Sequence, residues 1–124
     1  MMKYIVVGAG GFLGTIARFW LGSVIHGRMG SRFPYGTFII NCSGCLALGF
    51  IMVILTRTSL HPYLRLSIPI GFIGGFTTFS AFEYETFMAV REGSIAIGLL
   101  NIGLSVAAGF VCVWLGMVFG KAVA

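Results

Sequence analysis

Acidic side chains are almost absent from this chain. It has three, Glu83, Glu85 and Glu92, and none precedes Glu83. All charged residues together make up only 9% of the 124 positions, and 58% are hydrophobic. A water-soluble domain carries about 25% charged residues. Too little charge is available to cover a globule, and the mean hydropathy of +1.03 agrees. The missing acids also bear on the opening stretch KYIVVGAGGFLGTIAR, residues 3–18. There a short apolar run meets Gly8, Gly11 and Gly14, the spacing of a dinucleotide-binding loop. That fold needs an acidic residue about 20 positions later to hold a ribose hydroxyl. None is there, and Arg32 as a contact to a 2′-phosphate has no other support. The stretch reads as a glycine-studded membrane helix.

Other functional classes lack their parts as well. The net charge of +5 forms no patch for nucleic acid, because the basic residues mark the ends of apolar segments. The pair Cys42 and Cys45 has CxxC spacing but no further cysteine or histidine nearby to complete a metal site. It lies inside an apolar segment, where small packing residues are expected. The first apolar segment is too long for a cleaved leader, and three more follow it.

What is present is four apolar stretches, each near the 20 or so residues that cross a bilayer. The expected spans are 4–25, 33–56, 66–89 and 94–120, within one integral membrane domain over 1–124. Pro34 suits the first turn of the second helix. Tyr4, Tyr35, Tyr63 and Trp114 fall near span ends, as interfacial aromatic residues do. Four spans put both termini on one side with Lys3, Arg57, Arg65 and Lys121. The other side carries Arg28, Arg32 and Arg91, with Arg18 in the half of span one nearer to it. Loop Lys/Arg bias normally fixes orientation, and here there is almost none. The reading is dual topology: chains insert both ways and pair antiparallel, an inverted repeat made from one sequence. Gly10 with Gly14, and Gly71 with Gly75, have the spacing at which membrane helices approach closely.

The third span holds GFIGGFTTFSAFEYETF, residues 71–87. Gly74-Gly75 and the β-branched pair Thr77-Thr78 predict an interrupted helix near mid-membrane. Broken backbone at that depth is tolerated only where protein or a polar cavity surrounds it. It frees carbonyls for a cation and N–H groups for an anion. Phe79 and Phe82 follow on one helix face. Their electropositive ring edges suit an anion that has shed water, and Ser80 adds a hydroxyl. Asn41 sits in the second span with Thr37 one turn before it. Asn101 and Ser105 share a face of the fourth, and Arg18 lies in the first at a cost of about 3 kcal/mol on insertion scales. Buried polar groups of this kind mark functional paths, although helix–helix bonding and snorkelling would also account for them. No acid sits in spans one, two or four. Glu83 and Glu85 lie toward Arg91, which favours an anion path over a cation or proton-coupled one.

GFIGGFTTFSAF, with Asn41 and Ser105, resembles the Fluc (CrcB) family of fluoride channels over the whole chain. The resemblance implies an antiparallel homodimer in the bacterial inner membrane that exports fluoride passively, confers fluoride resistance and is not an enzyme. It implies a structural sodium ion at the dimer centre, held by main-chain carbonyls at the positions of Gly74 and Thr77. The implied fluoride pore residues are Arg18, Thr37, Asn41, Phe79, Ser80, Phe82 and Ser105. One position departs: the family usually reads TTFSTF, and Ala81 stands where the second threonine of that motif would, so one lining hydroxyl is missing. A small multidrug antiporter would also have four spans and insert both ways. It requires a carboxylate in the first span, where this chain has Arg18. A scaffold subunit would leave the interrupted span unexplained.

Overall fold

A computed structural model describes residues 1–30 and 32–123. Among them the regular structure is entirely helical. Helix α1 covers Met2–Met29, α2 Tyr35–Arg57 and α6 Ile95–Val123. These three are long and apolar enough to cross a membrane. Between α2 and α6 runs an interrupted stretch: α3 (Pro62–Leu66), a π-helical segment Ser67–Ile73, α4 (Gly74–Phe76), two extended residues, and α5 (Phe79–Arg91).

The expected third span, 66–89, is thus longer at both ends and broken inside. Helix α1 also outruns its expected range of 4–25, because a helix continues past its apolar window until a residue stops it. Gly30 does so at φ 73°, and Gly93 closes the α5–α6 connector at φ 86°. Both lie in the left-handed region that favours glycine. Pro34 directly precedes α2 and does not enter its first turn. Beside it Phe33 is buried, with Tyr35 and Phe38 packed against its ring at 5.0 and 5.8 Å.

The π-helical segment has a chemical cause. Pro69 has no N–H to give to the preceding turn, and its ring crowds the carbonyl four residues back. Widening the helix relieves that clash. The glycines then set how close the helices come. A Cβ at Gly14 would overlap the Phe72 carbonyl, and one at Gly71 would lie 2.6 Å from the Val7 carbonyl oxygen. At Gly75 it would lie 2.5 Å from the Gly11 carbonyl oxygen. The two glycine pairs read from the sequence therefore pack against each other: α1 lies backbone to backbone on the segment before the break. Gly49, Gly116 and Gly120 do the same for α2 and α6. The buried apolar core is small, chiefly Ile25, Ile40, Val53, Leu55, Ile73 and Phe82. Large side chains such as Phe19 and Phe110, 78% and 77% exposed, face outward. A bilayer suits that distribution.

Candidate functional site

The break is narrower than the sequence predicts. Gly74 and Gly75 stay helical, and the backbone leaves the helix at Thr77 (ψ 157°) and Thr78 (φ −149°, ψ 116°). In a continuous helix the Thr78 N–H would return to the Gly74 carbonyl. Here it donates to Asn41 Oδ1 at 2.8 Å, and Asn41 Nδ2 donates to the Thr78 carbonyl at 3.0 Å. One amide side chain from α2 thereby satisfies both backbone groups of the residue in the gap. An unpaired N–H or C=O in an apolar setting costs several kcal/mol, so an amide, which both donates and accepts, is the side chain this position needs.

Helix α5 restarts with its own cap. The Thr78 hydroxyl accepts from the Ala81 N–H at 3.3 Å, the usual N-cap arrangement for threonine. The Ala81 N–H would otherwise have returned to the Thr77 carbonyl. The break therefore deprives four carbonyls, those of Gly74 to Thr77, of their regular helical donors; that of Gly75 accepts from the Thr15 hydroxyl at 3.4 Å. The Ser80 hydroxyl lies 3.4 Å from that of Thr78. Phe79 is 74% exposed, whereas Phe82, 5.7 Å away between ring centroids, is buried.

The remaining polar residues divide between two places. One is an open cavity of about 780 Å³ between α1, α2 and α5. Arg18 and Thr37 line it, together with Thr78, Ala81 and Glu85. The Thr37 hydroxyl donates to Glu85 Oε1 at 2.7 Å. Glu85 Oε2 is buried and has no hydrogen-bond partner among the described residues. A carboxylate therefore stands on the cavity wall, where the sequence reading set Glu85 apart toward Arg91. The signal was available in the spacing: four residues separate Ala81 from Glu85, and Thr37 from Asn41, so each pair shares a face. The second place is the α5–α6 seam. Asn101, only 2% exposed, donates to the Thr86 hydroxyl at 2.8 Å, and Ser105 donates to Asn101 Oδ1 at 3.2 Å. The Thr86 hydroxyl donates in turn to the Phe82 carbonyl at 2.7 Å. In the single chain Ser105 joins Thr86 and the Phe82 carbonyl through Asn101, away from the cavity that Glu85 and Thr37 line.

Cys42, Cys45 and Cys112 are free thiols, and no metal-binding cluster of His, Cys, Asp or Glu exists among the described residues. Cys45 lines a smaller groove of about 230 Å³ with Asn41, Thr77 and Phe79.

The family described as "CrcB-like protein, Camphor Resistance (CrcB)" matches residues 5–117, nearly the entire chain. The chain belongs to the CrcB family. Several curated CrcB relatives align end to end with it. A protein of Solibacter usitatus (strain Ellin6076) named "Fluoride-specific ion channel FluC" is 50% identical over 121 residues, covering 97% of this chain and 99% of its own. A protein of the same name from Acidobacterium capsulatum is also 50% identical over 121 residues, covering 97% of each. Another, from Citrifermentans bemidjiense, is 37% identical over 123 residues, covering 98% and 99%. Helix break, interlocked glycines and polar cavity are thus features of a CrcB protein that crosses the membrane several times.

Proposed function

We propose that this chain is a fluoride-specific ion channel that lets fluoride leave the cell passively. The observation that carries this is the half identity, over nearly the whole length, to relatives named for that activity. The site chemistry supports it. Fluoride is small and strongly hydrated, so a path must offer many donors in place of water. Asn41 gives one amide N–H to Thr78, and an amide has two. The other is available to an anion, as are the Arg18 guanidinium and the Ser80 hydroxyl. Phe79 and Phe82 present ring edges of positive character. The Glu85 carboxylate, bonded to Thr37 on the cavity wall, repels every anion alike, so the donors of the path have to outweigh it. No covalent step or ATP is required. A potential of 100 mV is worth about 2.3 kcal/mol per charge, which sustains roughly a fifty-fold gradient.

The working unit in this reading is an antiparallel homodimer in which the interrupted stretch is the third of four spans. Pore residues are Arg18, Thr37, Asn41, Phe79, Ser80, Phe82 and Ser105. A sodium ion holds the centre. Gly74 and Thr77 fit that role because their carbonyls are among the four, Gly74 to Thr77, that the break leaves without regular donors. Unwound carbonyls are hard oxygen ligands of the kind that bind sodium in membrane proteins. Two chains offer four, and the ion offsets dipoles that would otherwise face one another in lipid.

Purified protein in liposomes loaded with fluoride, with potassium and valinomycin to carry the balancing charge, tests the function. Rapid fluoride efflux, with chloride retained, is the expected result. Retention of fluoride would refute it. In sodium-free buffer the dimer should dissociate more readily on size exclusion, and an unchanged dimer would remove the sodium assignment.

A further inference from the structure

The large cavity has a mouth as well as a floor. Its floor is Thr37, Thr78 and Glu85; its upper walls reach His26, Arg32 and Glu92. On α1 the lining residues Arg18, Gly22 and His26 recur every four positions, one stripe of a helix. At 1.5 Å per residue, His26 stands about 12 Å further along the helix than Arg18. On α5 Ala81, Glu85 and Met88 form the facing stripe, and Glu92 continues it just beyond the helix end. His26 is exposed and Arg18 half-buried, so the first meets solvent and the second the interior.

The ionisable groups on these walls are Arg18, His26, Arg32, Tyr35, Tyr84, Glu85 and Glu92. Arginine keeps its charge at any relevant pH, and tyrosine is neutral below about pH 10. With both carboxylates ionised, two arginines and two glutamates cancel. The sign at the mouth then rests on His26, the type of side chain whose charge changes between pH 5 and 8. We infer that His26 is an anion-gathering residue at the cavity mouth, whose protonation draws fluoride from solution toward the helix break. This rests on the fluoride-channel reading above. It acts on anion arrival and leaves the selectivity of the inner site unchanged.

A single charge lining a cavity between low-dielectric walls raises local anion concentration severalfold. The effect is screened when the Debye length shrinks to about 3 Å at 1 M salt. Initial fluoride efflux from liposomes, at equal pH on both faces and corrected for leak from protein-free vesicles, is the measurement. At low fluoride and low salt the parent should run about two- to fivefold faster at pH 5.5 than at pH 8. His26→Gln should be slow at both values, and His26→Lys fast at both. The differences should disappear in 1 M potassium glutamate. A parent that conducts equally at both pH values overturns the inference and leaves the channel reading standing. So does a His26→Gln variant that keeps the parent's pH slope, which would place the titration on Glu85 or Glu92. A parent that moves no fluoride at any pH removes both.

Discussion

Asn41 does with one side chain what a turn of helix would otherwise do, and Phe79 and Phe82 sit immediately after the gap it spans. Those two rings are alike in sequence and unlike in setting. Phe82 is 8% exposed and part of the core, while Phe79 is 74% exposed. Replacing either by isoleucine keeps bulk and apolarity but removes the ring edge. Phe79→Ile should therefore leave the melting temperature unchanged and lower fluoride efflux at least about tenfold, the effect of some 1.4 kcal/mol on the barrier. Phe82→Ile should also cost about 1 kcal/mol of stability through misfit in a packed site. Phe12→Ile, at another exposed ring on α1 outside the break, is the control and should change neither. If both motif variants assemble and conduct like the parent, ring edges have no part in permeation. The rings' shared face was legible from three-residue spacing. Their unequal burial was not, since it depends on how α6 lies over α5. Glu85 was misjudged for a related reason. Distance along the chain from Thr77-Thr78 said nothing about which side of α5 it occupied, and the Thr37 hydroxyl decides that.

Among the elements, the interrupted stretch was predicted by Gly74-Gly75 and Thr77-Thr78 together, yet only the threonines leave the helix. Gly75 stays in it with a steric use, letting α1 approach at Gly11, while a Cβ at Gly74 would meet only the Pro69 carbonyl oxygen at 3.9 Å. Pro69 carried a legible warning of a distorted helix, and the π-helical turns around it are the outcome. These packing contacts make a prediction with its own internal control. A Cβ at Gly14 would collide with the Phe72 carbonyl and crowd the Phe76 nitrogen, whereas at Gly8 it meets nothing within 4 Å. Gly14→Ala must push α1 away from the segment that carries the break. It should cost about 1–3 kcal/mol by overpacking, read as a lower melting temperature in detergent. Gly8→Ala, on the same helix, should be neutral or stabilising by up to about 1 kcal/mol from helix propensity alone. Equal melting temperatures for the two would mean that the α1 contact is not what holds the broken helix in place.

For the whole molecule, the outward-facing aromatic and aliphatic side chains require lipid or a second chain to cover them. Orientation decides which second chain is possible. With four crossings, Lys3, Arg57, Arg65 and Lys121 share one side against Arg28, Arg32 and Arg91 on the other. Arg18 reaches the cavity wall from within α1 and adds to neither loop cleanly. Four against three gives insertion little to read. The expected outcome is that a C-terminal reporter active only in the cytoplasm, and one active only outside, each give substantial signal in separate fusions. Two lysines added beside Lys3 should shift the balance, holding both termini in the cytoplasm and raising the cytoplasmic signal at the expense of the other. Fluoride efflux should fall in cells that make only the biased chain, since an antiparallel pair needs both orientations. Co-expression with a chain biased the opposite way, by lysines placed beside Arg28, should restore it. A parent chain whose C-terminus reports from one side only would rule out the antiparallel homodimer. The helix break would then have to complete its surroundings with a parallel copy, in which the Gly74 and Thr77 carbonyls of two chains could not meet across a two-fold axis lying in the membrane plane.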